Sequence, residues 1–138
     1  MKKNEEISLY VLDTHIIIWY FIGSPRLPKK LKEKIDIIRK NGGRLLVPTI
    51  VLAEILDIAE KKKANLDFYR LYAVIQQEPE FEIVGFGLEI FNEALKISEI
   101  KEIHDRIIVA TAKFYEAGII TKDKIIHKMN LANFPLFH

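Results

Sequence analysis

Four acidic residues, far apart in the chain, stand where side chains do chemistry in α/β proteins: Asp13, Glu54, Asp105 and Asp123. Asp13 follows the apolar run Leu9–Leu12, and Asp123 follows Ile119-Ile120-Thr121. Asp105 opens one amphipathic stretch, and Glu54 sits early in another. Carboxylates a few ångströms apart repel, and each raises its neighbours' pKa. Gathering them is costly unless a cation neutralises them. An all-oxygen set suits Mg²⁺ or Mn²⁺, which keep several waters and bind substrate phosphates. Such ions can activate a water and stabilise the leaving oxygen of a phosphodiester. The chemistry indicated is metal-assisted phosphodiester hydrolysis.

Each acid also has an ordinary use. Asp13 can cap the helix after it. Glu54, Asp57 and Glu60 continue one polar helix face. Asp105 can cap its own helix and oppose the helix dipole. Asp123, between Lys122 and Lys124, can be a turn residue. Individually each is weak evidence; a shared sheet edge is what joins them.

That edge depends on the elements. Leu9–Leu12 reads as a buried strand, and Thr14–Ile22 as the helix after it, stopped by Gly23-Ser24-Pro25. Leu27, Leu31, Ile35 and Ile38 recur at helical spacing behind Pro28, and Asn41-Gly42-Gly43 ends that helix. Arg44–Val47 is a short strand. Thr49 is expected to cap the next helix, which Lys61-Lys62-Lys63 ends. Asn65 or Asp67 begins another helix, closed by Pro79, and Phe81–Val84 reads as a strand. Leu88, Phe91 and Leu95 are expected to form the apolar stripe of the following helix. A further helix runs from about His104 to Glu116, with Gly118 its stop. Ile119–Thr121 is a strand, Lys124–Met129 a short helix, and Pro135–Phe137 a last edge strand. Strands alternating with helices give an α/β fold with a mainly parallel sheet. In such sheets ligands bind beyond the carboxyl ends of the strands, where Asp13 and Asp123 fall. Helix starts that follow strands face the same edge, which adds Glu54 and Asp105.

The 138 residues are expected to form a single domain, 1–138. Lys plus Arg number 21 against 19 Asp plus Glu, a net charge of +2 that is too mild to establish nucleic-acid binding. With no Cys, thiol catalysis, disulfides, iron–sulfur clusters and thiolate zinc sites are excluded. Any metal site is expected to be built from oxygen. Ile, Lys and Glu are frequent and Gln scarce, a usage resembling that of thermophiles. Met1–Glu6 is polar, and the apolar run Ile16–Ile22 falls short of the ~20 residues of a membrane helix. The expectation is a cytoplasmic protein without a membrane partner. A phosphate-accepting receiver domain would need an acceptor Asp directly after a central strand, whereas Asp57 falls inside a helix.

The segments carrying these acids resemble the PIN domain, and most closely the toxin ribonucleases of VapBC toxin–antitoxin pairs. Leu12-Asp13-Thr14-His15-Ile16-Ile17-Ile18-Trp19 is similar to the family's opening strand and helix, in the subgroup with an Asp-Thr-His start. Pro25-Arg26-Leu27 fits the turn before its second helix. Val47 to Ile55 is similar to the segment bearing the family's helical acid, His104 to Ala112 to the third motif, and Ile119 to Asp123 to the fourth. The chain departs from the subgroup at Ile103-His104, where related toxins carry Pro-Phe.

The resemblance implies a three-layer, doubly wound α/β/α sandwich and a Mg²⁺- or Mn²⁺-dependent endoribonuclease. It implies that Asp13, Glu54, Asp105 and Asp123 form the acidic site. Asp13 and Asp105 would be the most direct metal ligands. Glu54 would bind metal or orient water, and Asp123 would bind a second ion or act through water. The implied partners are an RNA substrate, a VapB-like antitoxin and a second copy in a homodimer. Thr14, Arg106, Thr121 and Lys122, beside the acids, are candidates for substrate contact. His15, Trp19 and Tyr20 read more simply as packed residues. A non-catalytic PIN-like module that binds protein or RNA is the competing reading. Loss of an acidic position would favour it, and none is lost.

Overall fold

The apolar runs pair into one sheet. A computed structural model of the protein describes residues 8–122 and the strand at 136–137. In chain order the elements are β1 (Leu9–Leu12), α1 (Thr14–Ile22), α2 (Lys29–Lys40), β2 (Arg44–Pro48), α3 (Thr49–Glu60) and α4 (Phe68–Gln77). Then come β3 (Phe81–Val84), α5 (Leu88–Leu95), α6 (Ile103–Tyr115), β4 (Gly118–Ile120) and β5 (Leu136–Phe137). The strands lie in the order β3-β2-β1-β4-β5, and every pairing is parallel. Central β1 is flanked on both sides, with Val11 opposite Leu46 of β2 and Ile119 of β4. A strand covered on both faces reads as a continuous apolar run. Accordingly Val11, Leu12, Leu45, Leu46, Val47, Ile119 and Ile120 are all buried. Helices complete a three-layer α/β/α sandwich.

The chain runs outward from β1 to β2 and β3, then returns to lay β4 on the other side of β1. The β1–β4 boundary is therefore the topological switch point, where a crevice opens beyond the carboxyl ends of the strands.

Two local features hold α1 at that crevice. Gly23 ends the helix in the left-handed region (φ 66°), its N–H turned back to the Trp19 and Tyr20 carbonyls. Behind it, the Tyr20 hydroxyl donates to Asp36 of α2 at 2.6 Å and accepts from Arg39 at 3.1 Å. The Arg39 Nε donates to Glu80 at 2.9 Å, so one guanidinium ties α1, α2 and the approach to β3 together. Burial, then hydrogen bonding to Asp36, holds the Tyr20 pKa above the usual phenol value. Burial pushes Asp36 up, but the Tyr20 and Lys32 hydrogen bonds outweigh it and hold that carboxyl below its usual value.

Two expectations are corrected. Thr49 is the first residue of α3 rather than its cap; Pro48 occupies the cap and no side chain bonds there. Proline needs no partner for a missing N–H and its φ suits the approach to a helix. On α5, Ile90 and Ala94 are the buried pair, while Leu88, Phe91 and Leu95 are exposed. α5 packs on α6 through the face that includes the small Ala94, and Ile97 and Ile100 beyond it are buried as well. The expected helix Lys124–Met129 lies outside the described residues. The last expected strand is present as β5, parallel to β4 at the sheet edge. Among the described residues no helix is long and apolar enough to cross a membrane.

Candidate functional site

The β1–β4 pairing extends past both strand ends, with the Asp13 N–H donating to the Ile120 carbonyl at 3.2 Å. Asp13 and Thr121 thus leave the sheet side by side, although 108 residues separate them. The buried Thr121 hydroxyl donates to Asp13 Oδ2 at 2.6 Å. The N–H of Thr14 donates to the other oxygen, Oδ1, at 2.7 Å. The Asp13 carboxylate is held from both sides, and it also serves as the cap of α1. Capping and site geometry are therefore one arrangement here.

Thr14 has a second role. Its hydroxyl, buried at the start of α1, donates to Glu54 Oε1 at 2.6 Å. One threonine therefore grips two carboxylates, Asp13 by its amide and Glu54 by its hydroxyl. Hydrogen bonds to an ionised acceptor are short and about twice as strong as neutral ones.

Asp105 reaches the same place from α6. The cap of that helix is Glu102, whose carboxylate accepts the Asp105 N–H at 2.9 Å. Glu102 also meets His104 Nδ1 at 3.2 Å. Burial pushes the Glu102 pKa up, but the bond from the Asp105 amide and the His104 contact outweigh it and set it below the usual carboxyl value. Because Glu102 does the capping, the Asp105 side chain is not used for it and instead lines the cleft.

The cleft has a volume of about 430 Å³, and Asp13, Glu54, Asp105, Lys122, Trp19 and Arg26 are among the residues that line it. Three of the four expected acids thus meet at one edge. The fourth, Asp123, lies outside the described residues. Lys122 is exposed at the rim. Thr14 and Thr121 are in the site, but their hydroxyls are directed to carboxylates rather than to the cleft space. Arg106 is turned elsewhere: its Nε donates to the Ala94 carbonyl at 2.8 Å, and it borders an apolar groove between α5 and α6. Trp19, read from the sequence as a packed residue, lines the cleft. Arg26 lines it too, and its one signal was the turn Pro25-Arg26-Leu27.

Among the described residues, no three carboxylate or imidazole groups are drawn close enough to form a ready metal cage. The carboxylates of an open cleft suit a hard divalent cation, which binds through one or two of them and keeps much of its water. A site of this kind can hold a cation against a phosphate group, with Lys122 near by.

Fold and cleft together define a class: a parallel α/β sandwich with an acidic site at its switch point. The profile described as PIN domain matches residues 10–131, and the chain belongs to the PIN-domain family. No curated protein matches the chain. The fold is shared with solved structures of low sequence identity. VapBC2 from Rickettsia felis, bound to a DNA fragment from their promoter, has a TM-score of 0.71 and 19% identity over 94% of this chain and 97% of that one. FitAcB from Neisseria gonorrhoeae has a TM-score of 0.65 and 20% identity, over 94% of this chain and 96% of that one. A toxin–antitoxin complex from Klebsiella pneumoniae has a TM-score of 0.63 and 18% identity, with coverage of 94% and 96%.

Proposed function

We propose that this protein is a divalent-metal-dependent endoribonuclease, the toxin member of a type II toxin–antitoxin pair. The observation that carries the reading is the shared cleft of Asp13, Glu54 and Asp105, on three different elements, at the switch point of the sheet. Membership of the PIN family supports it. So does the fold likeness to chains from a toxin–antitoxin complex.

In this reading Asp13 and Asp105 hold Mg²⁺ or Mn²⁺, with Glu54 and Asp123 ligating or orienting water. The ions, when bound, supply an activated water and neutralise charge on the phosphate being cut. The protein's own part is preorganisation. Thr14 and Thr121 fix two carboxylates before substrate arrives, and Lys122 meets a phosphate at the rim. The single domain, 1–138, works in the cytoplasm as a homodimer. A cognate VapB-like antitoxin silences it by placing a cationic side chain against the acids, a pairing favoured by charge-assisted hydrogen bonding.

The test is incubation of purified protein with structured RNAs in Mg²⁺, Mn²⁺ or chelator, beside Asp13→Asn and Asp105→Asn. Cleavage that needs metal and disappears in both variants is expected. Cleavage that persists equally in both sinks the site assignment. No cleavage under any condition, from folded protein, favours the non-catalytic binding module. Expression without an antitoxin should slow host growth; normal growth with accumulated folded protein removes the toxin role.

A further inference from the structure

A second hollow, of about 500 Å³, adjoins the carboxylate cleft. His15, Trp19, Arg26 and Glu54 line both, so the two share a wall and form one trough. The far part continues past Ile58 to Lys63 and Asn65, in the connection that follows α3. Each part falls within the roughly 300–1,000 Å³ typical of small-ligand sites. The shared wall has an unusual composition. The rings of His15 and Trp19 lie 5.6 Å apart between centroids, tilted by 47°. His15 is exposed, whereas Trp19 is half-buried and backed by the core, which makes its indole a rigid surface. Arg26 is exposed on the turn that follows α1. That turn is pinned by the Arg26 N–H donating to Ser24 Oγ at 3.1 Å and by Ser24 N–H donating to the Trp19 carbonyl at 2.9 Å. Asp57 also lines the far part, and Lys61 offsets its charge at 3.1 Å.

We infer that His15, Trp19 and Arg26 form a nucleotide subsite for single-stranded RNA, next to the point of cleavage. One base stacks on Trp19 beside His15, and the adjoining phosphate meets Arg26. The inference rests on the nuclease reading above and adds where the strand lies. Aromatic faces alternating with cations in a groove are how proteins hold single strands, because every base has a π-face and every linkage a charge. The acids at one end would repel a strand laid directly over them. Arg26 in the middle and Lys63 at the far end give it a path that meets the acids only where a cation stands. Helical or duplex RNA buries its base faces and could not use the indole, so the trough selects unpaired loops.

Trp19 is the only tryptophan of the chain, so its emission reports this subsite alone. Full-length wild-type protein is titrated with phosphorothioate-linked oligo(U) and oligo(A) of about twelve nucleotides, in Ca²⁺ in place of Mg²⁺, so that a hard divalent cation stands at the acids while cutting is slowed. Excitation at the red edge of the indole band leaves the tyrosines silent. Binding is followed in parallel by polarisation of end-labelled RNA. The expected result is saturable quenching of Trp19 with the same midpoint as the polarisation curve. Trp19→Leu should weaken binding about tenfold, and Arg26→Ala should weaken it severalfold and reduce the salt slope by about one. RNA that binds while Trp19 emission stays unchanged overturns the subsite and leaves the nuclease reading standing. Quenching by an arginine-containing peptide but not by RNA overturns it too, assigning the trough to protein. Wild-type protein that cuts no RNA in metal, yet shows the quenching, contradicts the nuclease reading and not the subsite.

Discussion

Replacing Thr14 by valine isolates the contact on which the acidic site most depends. The side chains have nearly the same shape, so packing at this buried position is kept while the 2.6 Å hydrogen bond to Glu54 is lost. A hydrogen bond to a charged acceptor contributes about 1.5–3 kcal/mol. For a chain of this size that corresponds to a fall in Tm of roughly 5–10 °C. A stability loss alone could come from any buried substitution, so the test is a double-mutant cycle. Thr14→Val, Glu54→Ala and the double variant are unfolded in urea at neutral pH, and the coupling energy is taken from the three differences. Alanine keeps α3 intact because it is the best helix former. The expected coupling is about 1.5–3 kcal/mol. Additivity within about 0.5 kcal/mol would refute the claim that Thr14 holds Glu54. A companion cycle of Thr121→Val with Asp13→Ala tests the second hydroxyl on the same footing.

Three further outcomes follow from the structure. Mg²⁺ or Mn²⁺ at a hundred times its Kd should stabilise the fold by about 2.7 kcal/mol in a thermal melt, an effect absent in Asp13→Asn and Asp105→Asn and reversed by chelator. Because the Glu102 pKa is lower in the folded protein than in the unfolded chain, its stabilising share is present above the usual carboxyl pKa. That share is lost as pH falls through the lowered value, so Glu102→Gln should flatten the acid limb of stability against pH; an unchanged limb contradicts the capping role. Tyr20→Phe removes the donor to Asp36 and an acceptor of Arg39, and should cost about 1–2 kcal/mol in urea unfolding without changing which RNA is cut.

Much of the fold is legible because the punctuation is strong. Asp13, Gly23, Pro28, Gly43 and Asp67 stand at the ends of real elements, and the apolar runs between them are long enough to set strand against helix; Gly118, expected to stop α6, instead opens β4, and Glu116 ends the helix in the left-handed region (φ 54°). Gly43 could hardly be another residue, since a Cβ there would lie 2.6 Å from Ile38 and 2.7 Å from the Ser8 carbonyl. The edge shared by the acids is also legible, because a parallel sheet forces strand ends and helix starts to the same side. The buried face of α5 was not legible. Leu88, Phe91 and Leu95 form the larger apolar stripe, but Ile90 and Ala94 face the core, and only the packed neighbours decide between stripes. Arg106 shows the same limit at finer scale. It follows Asp105 directly, yet successive helix residues point about 100° apart, so Arg106 turns to α5 while Asp105 faces the cleft. The roles of Thr14 and Thr121 needed contacts made across 40 and 108 residues. No local spacing encodes these.

The central claim is that these acids hold a divalent cation, and locating the ion tests it directly. Crystals of the full chain grown with Mn²⁺ are measured by anomalous scattering, beside crystals of Asp105→Asn. The account predicts a manganese peak in the cleft, within bonding distance of Asp13 and Asp105, that weakens or disappears in the variant. Full manganese occupancy elsewhere, with the cleft empty although the ion is in excess, would contradict it.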